Sequence, residues 1–244
     1  MAYTFAEVLN MTNVTKSRNI EEAHKVHIIN TAQNMIWRGY DWSWTLDKLD
    51  PFWLVPRLQE YGAPIVAIPS DFDGLREAYL TFISPGAEPI RRVLRIAKNL
   101  DLTGVLGTPS AICWQKDRAA FRLHTRPGDS MCAPRYMVEG TYKKKPTQIT
   151  VATYQTSSLP SDDKFLDMWR KTINWAYLDF SQDQRAGGIQ MMPSGIPNYY
   201  GAFGEAFAAI HQAASEEGLT EGDPMIRPEQ ALLINDPRWQ GFYL

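Results

Sequence analysis

The sequence predicts an α+β protein: a helical bundle formed by the N- and C-terminal segments, with an inserted antiparallel β-sandwich or barrel domain. Two observations favour this fold class. Apolar residues recur at three- and four-residue steps near both ends of the chain, as in amphipathic helices. In the middle, short β-branched or aromatic runs alternate with turn residues, as in antiparallel sheets. We therefore expect residues 1–45 and 161–217 to form the bundle, residues 46–160 the β domain, and residues 218–244 an extended C-terminal docking tail.

Four helices are expected in the terminal segments. They cover residues 3–10, 20–37, 161–180 and 199–217. The second helix ends at Gly39, and the third begins where Asp162 and Asp163 suit a helix N-terminus. Each of the longer helices has an apolar stripe on one side, which predicts that they pack together.

Six short runs in the middle of the chain are predicted to be strands. They are residues 65–68, 77–83, 90–96, 120–124, 135–142 and 148–154. Proline- and glycine-containing turns such as Ser84–Gly86 and Arg126–Asp129 separate them. Many short strands at this spacing are typical of a sandwich or a barrel.

Charge and hydropathy limit the possible partners. The chain has 244 residues, of which 44% are hydrophobic and 21% charged, and its net charge of −2 gives no global attraction to nucleic acid. Local basic runs occur at Arg91–Arg95 and Lys143–Lys145, which suit a solvated strand or turn, or a face lining a DNA channel. No apolar run approaches the roughly 20 residues of a membrane span, and the N-terminus does not resemble a signal peptide. We expect a soluble, unsecreted protein with no membrane partner.

No motif for chemistry is recognisable. His24 and His27 lie three residues apart on a predicted helix, but no further metal ligand is near them in sequence. Cys113 and Cys132 match no nucleophile or redox motif and are expected to be free thiols. The glycine-containing loop 104–108 is not followed by the lysine of a phosphate-binding loop. The sequence therefore predicts no catalytic residue, no cofactor and no metal.

Two aromatic-rich segments stand out. Four tryptophans, Trp37, Trp42, Trp44 and Trp53, lie within seventeen residues. They are expected to pack the second helix on the domain beneath it, although a ligand-stacking role stays open. The C-terminal tail ends with Trp239, Phe242, Tyr243 and Leu244. Large apolar groups at a chain end need a surface to pack on, which is either the same domain or another chain.

Three short motifs follow one another in the first part of the chain: Ile28–Trp37, Asp41–Trp44 and Ile68–Phe72. Together they resemble the head-to-tail adaptor proteins of tailed bacteriophages, of the tail tubular protein A type. Tyr142–Pro146 resembles the basic, proline-terminated edge strand of that family, and Ser158–Asp163 resembles its return to helix. The resemblance extends over residues 20–185, and each motif is short.

The resemblance implies a structural protein of the virion, assembled in the host cytoplasm. Such adaptors form a ring, usually of twelve copies, between the portal protein and the tail nozzle or tail tube protein, and genomic DNA passes transiently through its channel. A ring built from head-to-tail contacts closes only if each subunit has two unlike, complementary surfaces. Trp239, Phe242, Tyr243 and Leu244 are then the expected portal-docking residues, and Lys143, Lys144 and Lys145 a basic edge that prevents stray strand pairing.

Two other functions stay open at this point. A carbohydrate-active hydrolase would need a cleft with two carboxylates at catalytic separation. A carbohydrate- or nucleic-acid-binding module would need exposed aromatic faces beside the basic residues.

Overall fold

The computed structural model describes residues 3–12, 20–98, 100 and 104–219. They form two compact units. The helical unit contains the described residues up to 44 and those from 146 onward, and the β unit contains residues 45–145. The β unit ends at residue 145 and not at the predicted residue 160, so the segment 146–160 belongs to the helical unit.

The described residues have a mixed α+β architecture with four helices. These are α1 (Phe5–Asn10), α2 (Glu22–Gly39), α3 (Leu166–Phe180) and α4 (Gly201–Glu216). Each corresponds to one of the predicted helices. The predicted start of the third helix was too early, because residues 163–165 form a turn of 3-10 helix before α3 begins.

Ten strands lie in the described part of the chain. They are β1 (Leu46–Trp53), β2 (Glu60–Gly62), β3 (Phe72–Phe82), β4 (Ile90–Val93), β5 (Arg95–Ile96), β6 (Ala111–Gln115), β7 (Ala120–Leu123), β8 (Tyr136–Lys144), β9 (Gly188–Met191) and β10 (Pro197–Tyr200). The last two form an antiparallel hairpin within the helical unit.

The β unit contains two four-stranded sheets. Sheet A has the order β1-β8-β3-β4, and all its neighbours are antiparallel. Sheet B has the order β2-β7-β6-β5, in which β5 and β6 are parallel and the other neighbours antiparallel. Neither sheet closes into a barrel within the described residues, so that alternative was wrong.

One hydrophobic core is shared by sheets A and B. Phe72 of sheet A contacts Phe121 and Trp114 of sheet B, with ring centroids 5.5 and 4.5 Å apart. Phe52 stacks on Phe121 at 5.8 Å, and Tyr142 stacks on Phe72 at 5.2 Å. Interlocked aromatic rings bury large apolar areas, which makes this cluster the centre of the β unit.

The helical unit has its own core. Ile29 and Ile36 of α2, Trp169 and Ile173 of α3, and Phe203 of α4 are buried in it. These residues recur at the helical period that the sequence shows, because a helix buries only one stripe of its surface. None of the helices in the described ranges is both long enough and apolar enough to span a lipid bilayer.

The segment that follows the β unit is held on α2 by the side-chain amide of Asn30. Its Nδ2 donates to the Ile149 carbonyl oxygen at 2.9 Å, and its Oδ1 accepts from the Ile149 N–H at 3.0 Å. The next residues turn, and the Thr150 N–H donates to the Thr153 hydroxyl. Because a side chain binds the backbone groups of Ile149, no strand forms over residues 148–154, and that prediction was wrong.

The predicted strand 65–68 was also wrong. The N–H groups of Ile65 and Val66 both donate to the Gly62 carbonyl, at 2.8 and 3.0 Å, which makes this segment a turn. Val66 is buried in the core of the β unit, so its apolar side chain anchors a loop and does not indicate a strand.

The strand β1 was not predicted because it contains Pro51. Proline has no N–H to donate and is tolerated in a sheet only at edges and bulges. Both conditions hold here: β1 is the edge strand of sheet A, and its register against β8 shifts between Leu49 and Phe52.

Candidate functional site on the polar face of sheet A

The two faces of sheet A differ in chemistry. Side chains alternate along a strand, so one face packs on the core through Leu75, Leu80 and Val138. The opposite face is mostly polar. Its side chains include Lys48, Glu77, Tyr79, Thr81, Arg91, Glu139 and Thr141.

A cleft of about 620 Å³ lies on this polar face. β1 contributes Lys48, Leu49, Asp50 and Pro51, β3 contributes Glu77 and Tyr79, β4 contributes Arg91, and β8 contributes Glu139, Gly140 and Thr141. Pro51 at the bulge of β1 and residues of three other strands therefore line the same cleft. All four strands of sheet A contribute to the cleft.

The charges in the cleft are connected by short contacts. The Glu139 carboxylate accepts a hydrogen bond from the Thr81 hydroxyl at 2.8 Å and lies 3.1 Å from Nε of Arg91. The Tyr79 hydroxyl donates to Glu77 at 3.3 Å. The negative charge of Glu77 raises the pKa of Tyr79, because it disfavours the phenolate. Each of these two carboxylates therefore already has a donor.

One polar group of the cleft has no partner. The Thr141 hydroxyl oxygen is buried and makes no hydrogen bond to any residue that the structure describes. A buried hydroxyl without a partner costs free energy, which a bound polar molecule can offset. The described lining residues include no His, Cys or Ser that could act as a nucleophile. The arrangement suits binding of a polar ligand through donors, acceptors and one aromatic ring.

The sequence pattern contained a signal for this site that was missed. Polar residues alternate along two predicted strands, at Glu77, Tyr79 and Thr81 and at Glu139 and Thr141. Such a period of two places them on one face of a sheet. The adjacency of the two strands, and the contribution of β1, did not follow from the sequence.

The predicted basic edge was wrong. β8 lies between β1 and β3 and is therefore a central strand. Lys143 is 1% exposed, and Lys144 lies 3.8 Å from Asp47 of β1. Lys145 follows the end of the strand and is exposed. Proline after the lysines indicates only where the strand ends, whereas edge protection would need proline or lysine along its outer side.

The exposed basic strand of sheet A is β4. Arg91 and Arg92 are exposed on it, and β4 is the edge strand opposite β1. These arginines were identified in the sequence as a local basic run, but not as an edge.

The other predicted residues do not converge on the cleft. His24 and His27 are exposed on α2 and contact the ring of Phe180, with centroids 4.9 and 5.7 Å apart. Cys113 and Cys132 are buried free thiols, and burial raises the pKa of both. Across the described ranges, no three His, Cys, Asp or Glu side chains are grouped as metal ligands would be.

The tryptophans have different surroundings. Trp42 is buried, stacks on Trp44 at 4.7 Å and donates its Nε1–H to the Ile36 carbonyl at 2.7 Å. Trp53 in β1 is 40% exposed. The proposed portal-docking residues, Trp239, Phe242, Tyr243 and Leu244, lie outside the described residues.

We also compared the chain with known protein families and with curated proteins. No protein-family model matches the chain, and no curated protein matches it.

Proposed function

We propose that this protein is a structural virion protein, a head-to-tail adaptor of a tailed bacteriophage. In this proposal, copies of the chain form a ring, of about twelve subunits, that joins the portal protein to the tail nozzle or tail tube protein. Genomic DNA contacts the ring transiently as it passes through. The protein catalyses no reaction, and its helical unit is a bundle into which the β unit is inserted as a sandwich.

The observation that carries the proposal is where the resembling motifs lie in the fold. Ile28–Trp37 lies on α2, and Asp41–Trp44 is the last segment before the chain enters the β unit. Ile68–Phe72 leads into β3, and Ser158–Asp163 precedes α3. Ile28–Trp37 thus lies within a helix and Ile68–Phe72 before a strand, while Asp41–Trp44 and Ser158–Asp163 lie between helices and the β unit. This arrangement supports the proposal.

The chemistry of the cleft supports a non-catalytic role. General acid–base catalysis by carboxylates needs two groups whose environments separate their protonation states. In the cleft, Glu139 is beside Arg91 and Thr81, and Glu77 accepts from Tyr79. These contacts favour binding and rigidity.

The test is to mix the purified protein with portal-bearing capsids that lack it and to image the particles by negative stain. We expect a ring of added density at the portal vertex. Trp239→Asp, which places a charge among the proposed docking residues, should abolish the ring, because burying an unpaired charge in an interface is costly. His24→Ala is the matched control and should attach normally.

Two results would contradict the adaptor function. A folded wild-type protein that never binds such capsids would exclude it. A His24→Ala or Cys113→Ala variant that assembles normally but abolishes infectivity would revive an enzymatic function.

A second candidate function is binding of a carbohydrate, which the cleft on sheet A favours. Tyr79 offers a ring, and Asp50, Glu77 and Glu139 offer hydrogen-bond acceptors. Titration with a panel of oligosaccharides tests this function, together with assays for their hydrolysis. Binding that Tyr79→Ala removes would favour a carbohydrate site over the adaptor function alone.

A further inference from the structure

The free edge of β4 can accept a further strand. β4 bonds only to β3 in the described structure, so its other side faces no strand. Ile90 and Val93 are 65% and 70% exposed, and β4 contains neither lysine nor proline. Lysine, proline and other charged residues usually prevent pairing at an edge. In β4 the charges are Arg91 and Arg92, and exposed apolar residues flank them, so a strand can be added here if its charges match those of β4.

The strand at the opposite edge of sheet A, β1, runs in the direction needed to pair with β4 of another copy. The four strands alternate in direction from β1 to β4, because every neighbouring pair is antiparallel. β1 and β4 therefore run in opposite directions. If a second copy is placed beside the first in the same orientation, its β1 lies antiparallel to β4 and the alternation of the sheet continues.

The two edges also match in length and in side chains. Before its register shift, β1 offers the four residues Leu46–Leu49, and β4 has the four residues Ile90–Val93. Antiparallel pairing over these four residues places Val93 opposite Leu46, Arg92 opposite Asp47, Arg91 opposite Lys48, and Ile90 opposite Leu49.

This register is consistent with the faces of the sheet. Arg92 is paired with Leu80 and Asp47 with Tyr142, both of which pack on the core, so Arg92 and Asp47 lie on the same face. Two apolar pairs and one ion pair result, and such cross-strand pairs stabilise a sheet. The one like-charge pair involves Arg91, which already contacts Glu139.

Charge disfavours the other ways of joining two edges. A two-fold contact between two copies of β4 would bring four arginines together, and one between two copies of β1 would bring Asp47 and Asp50 of both copies together. Like charges opposite each other destabilise a strand pair. Pro51 further prevents pairing along the second half of β1.

We propose that β4 of one copy pairs with residues Leu46–Leu49 of β1 in a second copy, which makes sheet A continuous from subunit to subunit. The contact is head-to-tail, with unlike surfaces on the two sides, as a ring or an open chain requires. The strand contact itself does not depend on the proposed adaptor function; only its role in building a ring does.

Disulfide trapping tests the register. In Leu46→Cys/Val93→Cys the two thiols face each other across the contact, at the ~4.5–5.5 Å Cα separation of antiparallel pairs, which suits a disulfide. Oxidation of concentrated protein should give a ladder of linked multimers that reductant removes. Leu46→Cys/Ile90→Cys is the mismatched control, because its cysteines lie three residues apart along the strands, roughly 10 Å, and on opposite faces.

Wild-type protein is oxidised in parallel, since Cys113 and Cys132 are buried and should give no ladder. Linked dimers alone would indicate a two-fold contact and overturn the proposal. A complete absence of linked species, or an equal ladder from the mismatched control, would overturn it as well.

Charge reversal then tests direction. In the Leu46→Cys/Val93→Cys background, Arg92→Asp or Asp47→Arg should each reduce trapping roughly tenfold, about 1.4 kcal/mol, because like charges then face each other. A mixture of the two variants should restore the ladder with the two variants alternating, because each mixed contact then joins opposite charges. The combined variant should restore the ladder by itself. Lys116→Asp, an equal change of charge in the turn between β6 and β7, should leave the ladder unchanged.

Negative-stain imaging separates this inference from the adaptor function. If Arg92→Asp still forms complete rings on portal-bearing capsids, the strand contact is wrong and the adaptor function stands. If Leu46→Cys/Val93→Cys forms the ladder but wild-type protein binds no capsid, the strand contact stands and the adaptor function fails.

Discussion

The helical unit and the β unit use their polar groups differently. In the helical unit, polar side chains hold secondary-structure elements together: Asn30 binds the backbone of Ile149, and the indole N–H of Trp169 donates to the Ser161 hydroxyl at 2.7 Å. In the β unit, polar groups gather on one face of sheet A and along the edge strand β4. The first arrangement fixes a fold, and the second leaves charges and donors available for a ligand or a partner. We infer that stability depends most on the helical unit, and association between copies of the chain on the β unit.

The largest pKa shifts differ between the two units, although burial also raises the pKa of Tyr199 in the helical unit. In the helical unit, hydrogen bonds from Thr4 and Arg185 lower the pKa of Glu7 and Asp183, the latter to about 2. In the β unit, burial raises the pKa of Tyr61 and Tyr142 to about 12. Acid therefore removes interactions from the helical unit, and alkali favours unfolding most through the buried phenols of the β unit.

The largest expected effect is the loss of Trp42. Trp42→Ala removes a fully buried ring that contacts Trp44, Tyr40 and Phe165, and should cost about 3–5 kcal/mol of unfolding free energy. Trp53→Ala, at an exposed position of β1, should change it by less than about 0.5 kcal/mol. Chemical denaturation of both variants measures the difference. Equal losses would mean that the buried ring of Trp42 contributes no more to stability than the exposed ring of Trp53, which contradicts the packing of the helical core.

The second prediction concerns the clamp between α2 and the segment after the β unit. Asn30→Ala leaves the buried N–H and carbonyl of Ile149 without partners, which should cost about 2–4 kcal/mol. Asn34→Ala, four residues further along α2, is the matched control. Hydrogen exchange should show faster exchange at Ile149 and along α2 for Asn30→Ala only. Unchanged protection there would show that the clamp does not hold the segment.

The helices and the segment after the β unit show what the sequence could and could not predict about the fold. The apolar stripes of α2, α3 and α4 were visible because a helix repeats its pattern over many residues. The strand predicted over residues 148–154 failed because Ile149 is bonded by Asn30, a residue more than a hundred positions away. Its β-branched residues indicated a local preference, and a tertiary contact overrode it.

The candidate site could be predicted only in part, for a similar reason. The alternation of Glu77 and Tyr79 on one strand was visible in the sequence. The placement of β8 between β1 and β3 was not, because the order of strands in a sheet depends on contacts between distant segments. For that reason three lysines at the end of β8 were assigned to an edge.

The third prediction tests how closely β8 packs against β3. A Cβ at Gly140 would lie 2.3 Å from the Glu77 carbonyl oxygen, so Gly140→Ala must displace the backbone of β3. We expect a cost of about 1–3 kcal/mol, as for other overpacked sites. At Gly74 on β3 a Cβ meets nothing within 4 Å, and Gly74→Ala is therefore the control. Thermal unfolding of both variants measures the effect. A neutral Gly140→Ala would mean that sheet A is more adaptable than its register indicates.

The smallest expected effect is on the alkaline side and involves Tyr142. Its hydroxyl donates to Asp71 at 3.1 Å, and burial together with that carboxylate raises its pKa to about 12. An unfolded chain ionises its phenols near pH ~10. Between about pH 10 and 12 the unfolded state therefore loses a proton that the folded state keeps, and stability falls as the pH rises.

Tyr142→Phe should lower the unfolding free energy by about 1 kcal/mol at pH 7, because one hydrogen bond is lost, and should flatten its decline in alkali. The flattening is only partial, because Tyr61 contributes a second phenol with a pKa of about 12 in the same core. Tyr200→Phe, at an exposed position of the helical unit, is the control and should leave the slope unchanged. Urea denaturation from pH 8 to 11 measures the slopes. If Tyr142→Phe and Tyr200→Phe give equal slopes, the alkaline sensitivity does not arise from the core of the β unit, and the contrast in ionisation between the two units is wrong.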